Sequence, residues 1–223
     1  MDYVRGPRNG PSARYPEAGD DDGFGDRKDA VRGNGSGKPA GGSGPIRTHL
    51  KTVRERLSRA IARNPEILLE PPERKPVTVH LTRAIDNGKR DRLGALVRTI
   101  EIVADDLAWR YGYDRMPASL TKRFAYAELM GPRGPVSCPD LVLGLVLFAP
   151  GTTYPAHAHQ GIVESYVCLS GATSENDHGV SVPGSVIFNS PDYEHRITTS
   201  DREPVLLAYA WVGTPEALAN QKM

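Results

Sequence analysis

The sequence has little net charge, few cysteines and no long apolar run, and each of these absences excludes a class of protein. Its 28 Lys and Arg residues balance 27 Asp and Glu residues, so a net charge of +1 gives no general attraction for nucleic acid or membranes. Two cysteines do not make a disulfide framework, and no run of about 18 apolar residues could span a bilayer. No apolar signal segment is present at the amino terminus. We therefore expect a cytoplasmic protein, with no nucleic acid and no membrane among its partners.

Leucine and isoleucine are absent from residues 1–45, a segment that is rich in glycine and proline. It holds 11 of the 23 glycines and five of the 19 prolines, and its seven basic and seven acidic residues cancel. A segment with so little apolar surface cannot offset the entropy cost of ordering its chain. Residues 1–45 are therefore predicted to form a disordered tail.

Residues 46–115 have the periodicity of α-helices. Apolar residues three or four positions apart mark one face of residues 48–64, with Thr48 as the predicted N-cap. A short helix is predicted over residues 78–86, and a longer apolar stripe runs through residues 90–111 over about five turns. These stripes predict helices that pack on the remainder of the protein.

From about residue 118 the pattern changes to short β-strands. The candidate strands are rich in β-branched, aromatic and other apolar residues and are separated by Gly, Pro, Asn and Asp. They are FAYAELMG, LVLGLVLFAP, VESYVCLSG, GSVIFNS and PVLLAYAWVG. Several short strands at close spacing predict a sandwich or barrel over residues 118–215. The predicted fold class is mainly β with N-terminal helices.

Two of the six histidines lie in the segment YPAHAHQGIVESY, at residues 154–166. Residues two apart on a strand face the same side, so His157 and His159 are expected to face together. Glu164 joins them if the chain turns and the next strand runs back. A turn before His195 would return that histidine to the same place.

The spacing of these residues resembles the two conserved motifs of the cupin superfamily. Eight residues fit these motifs: Gly151, His157, His159, Glu164 and Gly171, then Gly184, Pro191 and His195. The resemblance implies a small antiparallel β-barrel, the double-stranded β-helix, with one divalent metal ion inside. It implies that the ligands are His157, His159, Glu164 and His195. Imidazoles and one carboxylate suit Fe²⁺, Zn²⁺ or Mn²⁺ and leave positions open for substrate or water.

A narrower resemblance lies within and just after the first motif. The pattern Y-P-x-H-x-H at residues 154–159, followed by E-x-Y at 164–166 and S-G at 170–171, is similar to the signature of the cupin-type dimethylsulfoniopropionate (DMSP) lyases. Members of that family also carry helices ahead of the barrel. The resemblance implies a metal-dependent carbon–sulfur lyase that releases dimethyl sulfide and acrylate by β-elimination.

The same resemblance implies roles for several aromatic residues. Tyr166 resembles the catalytic base that removes the α-proton while the metal holds the substrate carboxylate. Tyr154 resembles a second tyrosine that lines the pocket and orients the substrate. Aromatic faces attract a sulfonium cation, and for this we expect Trp211 first, with Tyr126 as a further candidate.

The sequence leaves two other functions open. The same ligands would serve a cupin Fe(II) dioxygenase, although such an enzyme has no need of a base at Tyr166. The other alternative is a ligand-sensing cupin with a DNA-binding helical domain, since residues 46–112 hold 14 basic and nine acidic residues. The long helix predicted over residues 90–111 is unlike a helix-turn-helix. A homodimer is also left open, because small cupins often pair through sheet edges.

Overall fold

The computed structural model describes residues 43–221 except residues 69, 114 and 115. Its helices are α1 (Ser43–Ala62), α2 (Leu81–Lys89), α3 (Gly94–Ala104) and α4 (Pro215–Asn220), with a 3₁₀ helix at Pro76–His80. Its strands are β1 (Phe124–Gly131), β2 (Val136–Ser137), β3 (Leu141–Phe148), β4 (Thr153–His157), β5 (Val163–Ser170), β6 (Thr173–Glu175), β7 (Val180–Ser181), β8 (Val186–Asn189), β9 (His195–Thr199) and β10 (Val205–Val212). The tail predicted to be disordered lies outside the described residues, apart from its last three positions.

Helix α1 begins five residues earlier than the sequence predicts, so Thr48 lies inside the helix rather than at its N-cap. Pro45 falls in the first turn, where a missing backbone N–H breaks no intrahelical hydrogen bond. The helix ends just before Asn64, as predicted. Asn64 has a φ of 46°, and asparagine is one of the few residues that tolerate this left-handed conformation after a helix.

The long apolar stripe at residues 90–111 is not one helix, because only its middle part is helical, as α3. After α3 the chain turns at residues 105–107 and is then extended. The backbone N–H of Trp109 donates to the carbonyl of Glu73 over 2.8 Å, and that of Arg110 donates to the carbonyl of Tyr126 over 2.7 Å. Buried residues of the stripe therefore continue past the helix in an extended conformation. Residue spacing alone does not distinguish the helical part of the stripe from the extended part.

Two sheets form the body of the described chain. The larger has the strand order β2-β1-β3-β10-β5-β8, and the smaller has the order β4-β9-β6-β7. Every named pairing is antiparallel except the short contact of β1 with β2. Strand β3 lies in the middle of the larger sheet and is almost entirely buried, as its unbroken apolar run predicts. The predicted fold class, mainly β with N-terminal helices, is confirmed.

The two faces of the larger sheet have different partners. One face shares a buried cluster with Tyr154 and Ile197 of the smaller sheet, and this cluster is the barrel interior. The other face is covered by α2 and α3, which pack on β1, β3 and β10. Helix α1 packs through Val53 and Leu57 on the ends of the same strands. In the part of the chain that the structure describes, no helix combines the length and apolarity needed to cross a membrane.

Cross-strand register orders the interior residues into rows. One row runs across β3, β10, β5 and β8 and consists of Val142, Trp211, Glu164 and Asn189. A second row lies at the opposite ends of β1, β3 and β10 and consists of Phe124, Phe148 and Val205. The first row faces the histidines of the smaller sheet, and the second row is wholly apolar.

Candidate metal centre

Three short segments bring the motif histidines and Glu164 together. Strand β4 ends at His157, so His159 follows the strand rather than lying on it. The chain then turns at Gly161, whose φ of 68° suits glycine, and Glu164 comes second on the returning strand β5. His195 opens strand β9, which pairs with β4 and places His195 directly opposite His157.

The three imidazoles form a close cluster. Ligand atoms of His157, His159 and His195 lie within 4.8 Å of one another, so they could hold one metal ion. The ring centroid of His157 is 4.1 Å from that of His195 and 5.0 Å from that of His159. His195 is fully buried and His159 is 3% exposed.

The hydrogen bonds of two histidines fix their tautomers. Nδ1 of His157 lies 3.0 Å from the carbonyl oxygen of Pro155, and Nδ1 of His195 lies 3.1 Å from that of Tyr193. A carbonyl can only accept, so in each ring Nδ1 carries the proton and donates, which leaves Nε2 free to coordinate. Nε2 of His195 and both nitrogens of His159 are buried without an aligned hydrogen-bond partner among the described residues. Such a donor set fits a divalent metal ion.

Glu164 lies against this cluster and is held from two sides. Its Oε2 atom is 3.1 Å from Nε2 of His195, and its Oε1 atom is 3.4 Å from Nε2 of His159. The indole N–H of Trp211 donates to Oε1 over 2.7 Å, and the side-chain amide of Asn189 donates to Oε2 over 2.9 Å. The carboxylate is therefore oriented by its neighbours before any ligand arrives.

The charges of the cluster follow from burial and from mutual contact. Burial alone would raise the pKa of Glu164, but the contacts with His159 and His195 outweigh it and hold this pKa well below the usual value. Burial and the neighbouring His195 lower the pKa of His157 to about 4. Burial opposes protonation of His195, but the contact with Glu164 outweighs it and raises this pKa. At neutral pH Glu164 is ionised and His157 is neutral, which are the forms that bind metal.

Both motif tyrosines are buried near the cluster. The ring centroid of Tyr166 is 6.4 Å from that of His195, and its side chain faces the interior two residues after Glu164. Burial, followed by the charge of Glu164 and a hydrogen bond to it, raises the pKa of Tyr166 well above the usual value. The ring of Tyr154 meets that of His157 edge to face at 4.8 Å, and burial raises its pKa too.

The two aromatic residues expected to hold a sulfonium lie in different places. Trp211 is 1% exposed, and its ring centroid is 4.7 Å from that of His159. Tyr126 belongs to the same buried cluster but lies on β1, three strands from β5. There it lines a cavity of about 470 Å³ together with Glu128 and Arg133. The structure thus brings Trp211 to the histidines and places Tyr126 near the other edge of the larger sheet.

Two residues at the cluster were missed by the sequence reasoning. The amide of Asn189 donates to Glu175 over 3.0 Å as well as to Glu164, so it bridges two buried carboxyl groups. Burial raises the pKa of Glu175. Asn189 ends a strand in the segment GSVIFNS, and an asparagine there has the ordinary appearance of a turn residue. Only the fold shows that it faces inward.

Comparisons with known proteins agree with the motifs. The family described as dimethylsulfoniopropionate lyase matches residues 49–207. The putative dimethylsulfoniopropionate lyase DddL of Cereibacter sphaeroides is 52% identical over 183 residues, which cover 82% of this chain and 79% of that protein.

Two solved structures share the fold of this chain at lower identity. The crystal structure of DMSP lyase DddQ from Ruegeria pomeroyi has a TM-score of 0.52 and 22% identity, covering 74% of this chain and 92% of that one. A structure described as that of the DMSP lyases RdDddP and RnDddQII has a TM-score of 0.52 and 21% identity, covering 75% and 93%. The fold is a cupin, and the chain belongs to the DMSP lyase family.

Proposed function

We propose that this protein cleaves DMSP to dimethyl sulfide and acrylate by β-elimination, using one divalent metal ion held by His157, His159, His195 and Glu164. The observation that carries the proposal is the cluster of three imidazoles beside a buried, ionised carboxylate, in a chain of the DMSP lyase family. Three imidazoles and a carboxylate suit Fe²⁺, Zn²⁺ or Mn²⁺. A metal ion bound there would act as a Lewis acid toward the substrate carboxylate and stabilise negative charge developing beside it.

Tyr166 is the proposed base. Its oxygen takes the proton from the α-carbon, the electron pair of that bond forms the carbon–carbon double bond, and the bond from the β-carbon to sulfur breaks. The sulfonium keeps the electron pair of the broken bond and leaves as neutral dimethyl sulfide. Burial and Glu164 favour the protonated phenol, so the role as base requires positive charge at the histidine cluster to offset them.

Other buried side chains orient the substrate in this proposal. Tyr154 forms the wall of the cluster at His157, where it can position the carboxylate end of the substrate and assist catalysis. Trp211 presents its ring beside His159, where its face can attract the sulfonium while its N–H holds Glu164. Tyr126 is the further candidate for contact with the sulfonium. The low exposure of these rings excludes water from the reacting atoms.

The direct test is the release of dimethyl sulfide from DMSP by the purified protein, measured in the headspace. Activity should disappear after chelation and return when Fe²⁺, Zn²⁺ or Mn²⁺ is added back. Acrylate should appear in equal amount in solution. Protein loaded with each of these metals in turn that forms no sulfide would contradict the proposal.

A further inference from the structure

Helix α1 inserts one histidine into the outer surface of the barrel. Among residues 44–55, which form most of the helix, His49 alone is buried, with 4% of its surface exposed. Its neighbours Thr48 and Leu50 are exposed. A polar ring that is buried alone on a largely exposed stretch of helix needs a specific reason, because burial of an imidazole is unfavourable without a partner.

The partner of His49 is on the strand that carries the candidate metal ligand and base. Nε2 of His49 lies 2.9 Å from Oγ of Ser165, a contact between residues 116 positions apart. The His49 ring also meets Phe188 edge to face, with 5.8 Å between centroids. Phe188 is the cross-strand neighbour of Ser165, so His49 covers one residue pair of β5 and β8 from outside.

The position of Ser165 gives this contact its importance. Ser165 lies between Glu164 and Tyr166, and alternate residues of a strand face opposite sides. A rotation of β5 about its own axis would therefore displace Ser165 on the outer face and, at the same time, Glu164 and Tyr166 on the inner face. Ser165 is 2% exposed, so its hydrogen bond to His49 is shielded from water and resists such a rotation.

We propose that His49 is a positioning residue: through Ser165 it fixes the orientation of β5 and hence the places of Glu164 and Tyr166 inside the barrel. Helix α1 is then part of the construction of the active site, although it packs on the outer face of the sheet. The effect on catalysis rests on the lyase function proposed above. The effect on metal binding through Glu164 does not.

Leu57 provides the control for the alternative in which α1 only docks on the barrel and has no influence on the site. Leu57 is a partly buried residue of α1 that packs with Met130, Leu141 and Val212, away from Ser165. Leu57→Ala weakens the docking of the helix through apolar contacts alone. It therefore separates loss of helix packing from loss of the polar contact behind β5.

The experiment compares His49→Ala, His49→Gln, Ser165→Ala and Leu57→Ala with the unaltered protein. For each we would measure kcat and KM for DMSP, the affinity and absorption bands of Co²⁺, and the Tm. His49→Ala and Ser165→Ala should lower kcat and Co²⁺ affinity about 10- to 100-fold, the usual range for residues that orient metal ligands. KM should change little. His49→Gln, whose amide can reach Ser165, should restore most of the loss. A variant that combines His49→Ala with Ser165→Ala should be no worse than either single variant.

The control gives the outcomes that would overturn the proposal. Leu57→Ala should lower Tm while kcat and the Co²⁺ bands stay near those of the unaltered protein. If Leu57→Ala and His49→Ala lose kcat equally at equal loss of Tm, His49 serves only to attach the helix. Unchanged Co²⁺ affinity in both His49→Ala and Ser165→Ala would also reject the proposal.

If the unaltered protein forms no sulfide, the lyase function fails and the Co²⁺ titration still decides the role of His49. If His49→Ala does not fold, Ser165→Ala and His49→Gln decide it.

Discussion

The barrel interior has a polar end and an apolar end, and the same strands build both. Strand β10 carries Trp211 at one end and Val205 at the other, and β4 passes from Tyr154 to His157. At the polar end the row that contains Glu164 meets three histidines. At the apolar end Phe124 and Phe148 pack on Tyr154 with ring centroids 4.5 and 5.9 Å away.

This difference separates stability from chemistry within one core. Burying imidazoles and carboxylates is unfavourable unless each is paired, so the polar end is expected to contribute little to stability without a ligand. The aromatic and aliphatic rows at the other end stabilise the fold by removing apolar surface from water. Variants at the two ends should therefore affect different measurements.

The largest effect is expected at the histidines. His159→Ala removes one ligand of the proposed ion, and loss of several kcal/mol of charge stabilisation corresponds to roughly a thousandfold lower activity. Dimethyl sulfide release and metal content by mass spectrometry would check this. His178 is exposed in a turn, so His178→Ala is the matched control and should retain both. Full metal content in His159→Ala would contradict the proposed ligand set.

The next effect concerns the proposed base. Tyr166→Phe removes one hydroxyl and should lower kcat about 100- to 10,000-fold, the usual range for loss of a general base. Metal content should stay unchanged, which distinguishes this variant from His159→Ala. The matched control is Tyr111→Phe, because the Tyr111 hydroxyl donates to the carbonyl of Thr121, a loop residue before β1. Near-normal turnover by Tyr166→Phe would assign the proton transfer to another group.

A smaller effect separates the two roles open to Trp211. Trp211→Phe keeps an aromatic face and loses the N–H that donates to Glu164, so we expect about 10- to 100-fold weaker metal binding and little change in KM. Trp211→Ala loses both and should raise KM much more than Trp211→Phe. The control is Trp109→Phe, since Trp109 is equally buried but lies among the helices. Unaltered metal binding in Trp211→Phe would show that the N–H of Trp211 is not needed for the metal site and that only its aromatic face contributes to function.

At the apolar end the expected change is in stability rather than in rate. Phe148→Leu keeps an apolar side chain in the row with Phe124 and Val205 and should cost about 1 kcal/mol of unfolding free energy. Urea denaturation would measure this cost. The metal content should stay normal, and kcat should fall far less than in Tyr166→Phe, because Phe148 touches the site only through its ring contact with Tyr154. A large loss of activity with little loss of stability would show that the two ends are not independent.

The smallest effect is a pH dependence of the metal-free protein. The folded-state pKa of His157 is about 4, below its ordinary value near 6.5, so between these values the unfolded chain binds a proton that the folded chain does not. This residue therefore contributes a loss of stability as pH falls through that window. His195 has a raised pKa and contributes in the opposite sense, with stability lost as pH rises. Denaturation of chelated protein should show a weaker acid dependence in His157→Asn than in the unaltered chain.

Sequence reasoning reached the local features of this molecule and missed the long-range ones. Short runs of β-branched, aromatic and apolar residues between turn residues predicted the main strands, and motif spacing placed His157, His159, Glu164 and His195 in one cluster, as the structure has them. Each of these inferences depends on the composition of a short segment or on a spaced motif. The fold class and the family were accessible for the same reason.

What the sequence could not show depends on contacts between distant segments. The stripe at residues 90–111 leaves its helical conformation because Trp109 bonds to Glu73, a partner that periodicity cannot identify. His49 resembles any histidine on a helix until Ser165 is placed beneath it. Asn189 resembles a turn residue until two carboxyl groups are seen around it. In each case the deciding neighbour lies elsewhere in the chain.

The backbone hydrogen bonds of His157 and His195 have a consequence for the order of folding. Each ring is held by a carbonyl two residues before it in its own segment, so its orientation does not depend on the rest of the barrel. Strand β4 pairs with β9 and not with β5, so His157 and His195 become neighbours only when two segments more than 30 residues apart in the chain come together. Each ring already has the orientation set by its own segment when that pairing forms. We therefore expect the pairing of β4 with β9, rather than any later adjustment of the rings, to complete the histidine cluster during folding.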